Sequence, residues 1–427
     1  MTNRRGADWS RLDNAAKIFP PTSSRRDPRV FRFSCELYEQ VDPEILQHAL
    51  DAAVSQFPNF LYILKRGLFW YYLERSDLKP VVALETDPPC SKIYSTKSKT
   101  LLFDVTYYKK RINLEVYHVL SDGTGALQFL LSIVYHYLLE KYRDELPQDI
   151  PILMHDASFT QKTSDSFEKY YNKTGKTKRT DHTPAYNIRS ESFPNYGLNI
   201  ITGIMPLDAV IAAAKRHNAI LTVFLSSLLM LAIREEMRVR EMRRPISLGV
   251  PVNLRRHFPS ATARNFFGII NVRYDFSKGS GELSDIIAHV DAQFKDELTR
   301  ERLAERMNAL SALEHNFFIR IAPLALKNIV LRIAGNRARR KDTMVFSNVG
   351  KVELPKPLAE YVRLFDVFTS TYKIQLCMCS FENVLNLTFS STLVGTEIEK
   401  NFFRLLRQQI EEFSDNEGMI EIRSNRD

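Results

Sequence analysis

In the stretch YHVLSDGTGALQFL, residues 117–130, His118 stands four residues before an Asp-Gly pair, Asp122-Gly123, and none of the other eight histidines in this 427-residue chain has that spacing. Imidazole has the unperturbed side-chain pKa nearest neutrality, which suits it to take a proton from a hydroxyl as that oxygen attacks a carbonyl. The rival hydrolytic chemistry would pair the histidine with a serine on a G-x-S-x-G elbow, and the chain has none. Metal chemistry has little material either. Cys377 and Cys379 share one face of an alternating strand while Cys35 and Cys90 stand alone, so a single C-x-C is better read as core packing.

The local pattern says how the imidazole must be held. Upstream, RINLEVYHV alternates, with Ile112, Leu114, Val116 and His118 on one side, as a strand does. Downstream, Leu127, Leu130, Ile133, Val134 and Leu138 recur at helical spacing, so strand gives way to helix at Ser121-Asp122-Gly123. His118 closes the strand, and Asp122 is placed to cap the helix. The helix N-terminus just beyond would favour a neutral ring. Gly123 permits a sharp turn or a close approach of substrate.

Around this joint, mixed α/β content fills both halves. VFRFSCELYEQ reads as a strand, VDPEILQHALDAAVSQFP as a helix capped by Asp42 with Pro43 at its first position, and two hairpins turn near Gly67 and Lys109. Residues 155–196, rich in Ser, Thr, Lys and Asn, read as a crossover linker between an N-terminal lobe, 1–154, and a C-terminal lobe, 197–427. The second lobe alternates helices (LDAVIAAAKRHNA, a buried helix from Thr222, a charged one from about Ser284, and TEIEKNFFRLLRQQIEEF) with strands (ISLGVPVNL, FFGIINVRYDF, TMVFSNVG, YKIQLCMCSF and NVLNLTFS).

A formal net charge of +9 favours acidic partners such as nucleotides, carrier proteins or an anionic membrane surface. Nucleic acid is set aside, because zinc-finger spacing and aromatic-plus-basic RNA-binding strands are both missing. The N-terminal MTNRRGADWSRLDNA has no apolar signal-peptide core, so the chain is expected in the cytoplasm.

HVLSDG resembles the HxxxDG motif of the CoA-dependent acyltransferase superfamily, which includes chloramphenicol acetyltransferase, condensation domains and alcohol O-acetyltransferases. GLFWYYLE, PVNLRRHFPSATARNFFG and VFSNVG are similar to stretches of its bacterial alcohol acetyltransferase-like branch, whereas the DFGWG box of the plant branch is missing. The resemblance implies two chloramphenicol-acetyltransferase-like lobes of mixed α/β sheets with a tunnel between them. His118 would be the base, and Asp122 would pair with an arginine of the other lobe, which VPVNLRR offers as Arg255 or its neighbour Arg256. Asn265 and Gly268, after a loop with Pro259, Ser260 and Thr262, line the site or serve turn chemistry. Ser347 and Asn348, at a strand end, cap it or donate to an oxyanion, an interaction worth roughly 3 kcal/mol. The run LRIAGNRARRK offers Arg337, Arg339, Arg340 and Lys341 to CoA phosphates, to a membrane surface or to solvent.

The expected activity is direct transfer of an acyl group, acetyl by preference, from acyl-CoA to a hydroxyl on a small or lipid-like alcohol, with no permanent cofactor or metal. The rivals are condensation from a carrier-protein-bound donor and a silent member that binds an acyl ligand.

Overall fold

The computed structural model describes residues 9–151, 166–171, 184–193, 197–315, 321–411 and 420–425. Most of the expected linker, 155–165, 172–183 and 194–196, lies outside the described residues. Within its described part, Ser166–Tyr170 is a short helix and Ser192 bridges to Leu393.

Among the described residues fifteen strands form three sheets. β1 (Trp9–Arg11), β3 (Tyr62–Arg66) and β4 (Tyr71–Arg75) make a small sheet of order β1-β4-β3. The second sheet takes β2 (Val30–Leu37), β5 (Ala83–Leu84), β6 (Phe103–Tyr108), β7 (Arg111–Tyr117) and β12 (Val362–Thr369) in the order β12-β2-β7-β6-β5. The third has seven strands: β8 (Asn199–Pro206), β9 (Ile246–Asn253), β10 (Phe267–Tyr274), β11 (Met344–Val352), β13 (Ile374–Phe381), β14 (Val384–Ser391) and β15 (Glu421–Ser424), ordered β10-β9-β11-β13-β14-β8-β15.

Among the described residues the buried side chains form two cores, the first drawing on both halves of the chain. In the first, α2 (Pro43–Gln56) and α3 (Gly123–Lys141) pack on each other, and α3 lies on β2 and β7. Asp42 caps α2 by accepting from the amides of Glu44 and Ile45, with Pro43 at the first position, as its sequence requires. The second core gathers around the seven-stranded sheet and includes the Leu221–Glu235 helix, which packs against the Leu283–Glu297 and Glu397–Glu411 helices. Among the described residues no single helix is long and apolar enough to cross a membrane.

The halves are not strictly separate in space. β12 comes from the C-terminal half of the chain yet pairs antiparallel with β2, with Thr369 opposite Phe31, so the five-stranded sheet is completed from the second half. Cys377 and Cys379 also join the first core, and burial raises both thiols, Cys377 to about 12. Two further expectations need correction. The charged helix from about Ser284 breaks at 298–299 into Leu283–Glu297 and Arg300–His315. Ser347 and Asn348 lie within β11 rather than at its end, because the strand runs on to Val352 through an irregularity between Asn348 and Gly350.

Candidate active site

β7 ends at Tyr117, and His118 follows with its backbone N–H donating to the Arg29 carbonyl at 2.9 Å, which carries the sheet pairing one residue further. Its ring meets three phenylalanines: Phe19 of α1 (Phe19–Thr22), stacked at 4.7 Å between centroids, Phe31 at 4.5 Å and Phe267 at 6.0 Å. Phe31 lies opposite Val116 in the sheet, so the histidine does continue the apolar side of its strand. The residue is half-buried, yet its Nδ1 is fully enclosed with no hydrogen-bond partner among the described residues, so its accessible edge lies elsewhere on the ring. Burial among aromatic rings lowers the imidazole to about pH 4, with the Arg29 charge adding to the effect and Asp122, Asn265 and Asp27 opposing it. His118 is therefore neutral at pH 7.

Asp122 opens α3 and accepts from the Gly125 amide at 3.1 Å, which is the cap its position predicts. It also does more than cap. Arg255, 133 residues away, clamps both carboxylate oxygens, Nη1 to Oδ2 at 2.7 Å and Nη2 to Oδ1 at 3.2 Å, and the Phe266 amide donates to Oδ2 at 2.8 Å. The guanidinium donates further to the carbonyls of Thr262 and Arg264, so the pair is buried with its hydrogen-bonding capacity used. Arg256 is exposed. Asn265 is buried and donates from Nδ2 to the His118 carbonyl at 3.0 Å, and the Ser121 hydroxyl donates to the Ala263 carbonyl at 2.6 Å. The turn 118–125 is thus fastened to 253–266 at several points, across the two halves of the chain.

Glycine is required in this turn at a position other than the expected one. Gly123 has room for a side chain, since an added Cβ would only touch Phe33 at 3.8 Å, and its φ is ordinary. At Gly125 a Cβ would lie 2.1 Å from the Ala263 carbonyl oxygen and 2.3 Å from the Ser121 hydroxyl. The close approach of the two segments is what excludes a side chain there. Gly268 packs toward Leu254, and its neighbour Phe267 is the residue that reaches the histidine. Asn348 donates to the Thr222 hydroxyl at 2.8 Å, and among the described residues neither it nor Ser347 hydrogen-bonds to His118.

Sequence reading missed a group of cations beside the site. The guanidiniums of Arg26 and Arg339 lie over the Tyr372 ring, 4.4 and 4.9 Å from its centroid. Arg339 is depressed by burial and by Arg29, and Lys373 by burial and by Arg26, as expected of cations crowded together. The Nε groups of Arg26 and Arg339 are enclosed and find no acceptor among the described residues. Asp27 faces these cations, but it already holds Arg29 and the Ser370 hydroxyl. Of the four basic residues expected at phosphates, only Arg339 joins this group; Arg337, Arg340 and Lys341 are exposed. The signal, RR at 25–26 and a lone Lys373, is too scattered to stand out in a sequence.

No family model matches the chain, and no curated protein matches it. Solved structures do. The TRI101 protein of F. graminearum, complexed with coenzyme A and deoxynivalenol, superposes with a TM-score of 0.64 at 11% identity, over 92% of this chain and 97% of that one. TRI3 trichothecene 15-O-acetyltransferase from Fusarium sporotrichioides gives 0.60 at 8% identity, over 96% and 97%. A variant starter condensation domain of rhizomide synthetase RzmA, in complex with C8-CoA, gives 0.60 at 13% identity, over 98% of each chain. The chain has the two-lobed fold of the CoA-dependent acyltransferases and condensation domains. The likeness extends over nearly the whole chain.

Proposed function

We propose that the protein is an acyltransferase that moves an acyl group, acetyl by preference, from acyl-CoA directly to a hydroxyl acceptor, with His118 as general base. One observation carries the reading: a neutral, aromatic-packed imidazole on a turn that a buried Asp122–Arg255 pair braces across the two halves. Its proton inventory closes. His118 takes the hydroxyl proton as the acceptor oxygen adds to the thioester carbonyl, the carbon–sulfur bond breaks, and the imidazolium returns the proton to the departing thiolate. Asp122, Gly125, Asn265 and Arg255 act by holding the turn. The donor, a co-substrate with no bound cofactor beside it, would set its phosphates against Arg26, Arg339 and Lys373. The 1–154 and 197–427 segments, joined through 155–196, serve as its two lobes with the substrates meeting in a tunnel between them.

The test is thiol release from acetyl-CoA and longer acyl-CoAs against a panel of alcohols, lipids and amines, with carrier-bound thioesters run in parallel. Release that depends on an alcohol supports the proposal. Release from carrier-bound donors and amines alone would make the protein a condensation-type enzyme, and binding without any release would make it a silent acyl-ligand binder.

Two expected results follow from charge. Neutralising the cation group with Arg26→Gln and Arg339→Gln should raise the donor's KM several-fold at low salt, and added salt should narrow the gap by screening the wild type. A donor KM equal to that of wild type at low salt would remove these arginines from the donor site. The second result concerns pH. With His118 at about 4, kcat/KM should stay level from pH 8 down to about 5 and fall tenfold per unit below about 4. The same depression affects stability, because an unfolded imidazole titrates near 6.5. Stability is whole above that value and is lost as pH falls toward the folded pKa of about 4, since only the unfolded chain then takes the proton. Urea unfolding should show a smaller loss between pH 7 and 4.5 in His118→Gln than in wild type.

A further inference from the structure

The Leu324–Ala338 helix is mounted on the protein with its polar side inward. Lys327 is buried, donates to the Phe69 carbonyl at 2.9 Å and lies over the Trp70 ring. Asn328 donates to the Tyr71 hydroxyl at 3.0 Å, and Arg332 donates to the Pro21 carbonyl at 3.3 Å. Gly335 sits against Thr22. The outward stripe is aliphatic: Leu326, Ile329, Val330 and Ile333, spaced as one helix face, are each between 53% and 57% exposed. Leu68, whose carbonyl accepts from the Leu324 amide, and Phe69 and Ile321 add exposed apolar side chains at the helix N-terminus. This exceeds the scattered apolar exposure normal for a protein surface. One turn on, the same face continues into Arg337, and residues 321–341 hold six Lys or Arg and no Asp or Glu.

We propose that this helix docks on an anionic lipid bilayer, lying in the interface plane with its aliphatic stripe among the acyl chains and Arg337, Arg340 and Lys341 at the headgroup phosphates. Both halves of that recognition lie on the helix and the three residues that follow it. Apolar side chains supply burial, and a cationic end without a single carboxylate supplies attraction to negative headgroups. A bilayer suits it better than a protein partner because a lone outward helix face is convex and offers no pocket for an anchoring side chain, whereas fluid acyl chains accept any convex shape. The helix rests on α1, and α1 stacks Phe19 on His118, so the bilayer would lie one short helix away from the histidine. The docking itself does not depend on the acyl-transfer reading.

The experiment is flotation of the full chain with vesicles of equal parts phosphatidylcholine and phosphatidylglycerol, and with pure phosphatidylcholine, alongside an Ile329→Ser/Ile333→Ser variant. Both isoleucines are exposed, so the variant should fold and unfold as wild type does. Wild type should float with the anionic vesicles, less so as salt rises and far less with phosphatidylcholine alone, and the variant's partitioning should drop about tenfold or more. Failure of the wild type to float at low salt, or undiminished flotation of the variant, would overturn the proposal. So would light scattering that shows a wild-type dimer dissociated by the two substitutions, since the stripe would then be covered by a second copy of the chain.

Discussion

His118→Ala is expected to lower acyl transfer by roughly 100- to 10,000-fold in a protein that still folds, the range a positioned general base supplies. The turn does not depend on the ring for its shape. Its backbone is held by the Arg29 carbonyl, the Asn265 amide and the capped α3 N-terminus, none of which involves the imidazole. What the ring contributes is a lone pair that stays unprotonated at neutral pH because burial among Phe19, Phe31 and Phe267 opposes imidazolium. His118→Gln separates the chemistry from the packing, since glutamine fills much of the space and cannot act as a base. Thiol release by both variants, checked for folding by circular dichroism, decides the matter. A folded alanine variant with near-normal turnover would show that the proton goes elsewhere.

The second large effect is expected at the Asp122–Arg255 pair. If Asp122 only capped α3, Asp122→Asn would cost about 1 kcal/mol or less, because asparagine caps nearly as well. As a buried, bidentate pair, the loss of either member leaves an uncompensated charge, and each single change should cost roughly 3 to 5 kcal/mol. In a cycle of Asp122→Asn and Arg255→Met, the double variant should be less damaged than the sum of the singles, because no charge is then stranded. Turnover should fall in each single variant although neither side chain belongs to the reacting atoms, since the turn bearing His118 loses its brace. Denaturant unfolding of the four proteins measures the coupling. Small and additive losses would return Asp122 to an ordinary helix cap.

The parts of this protein that could be read directly are those in which neighbouring residues determine one another. The change from a period of two to a helical period at 117–123 located the end of β7 and the start of α3, and the caps at Asp42 and Asp122 followed because side-chain capping acts within three residues. Arg255 was reachable only through the resemblance of VPVNLRR, as no local pattern connects residues 133 positions apart. β12 escaped notice because its place beside β2 is a long-range pairing: Val30 N–H meets the Ser370 hydroxyl at 3.1 Å across 340 residues. Gly123 and Gly125 look alike in sequence, and only the approach of Ala263 makes the second one obligatory. The helix at 324–338 teaches the same lesson in reverse, since its apolar stripe would ordinarily be assigned to the core. By itself, then, the sequence determined the strand-to-helix joint and the histidine placed on it. The tertiary structure decided which arginine braces that joint, which cations gather beside it and which way an amphipathic helix faces, because those outcomes depend on contacts between segments that are distant along the chain.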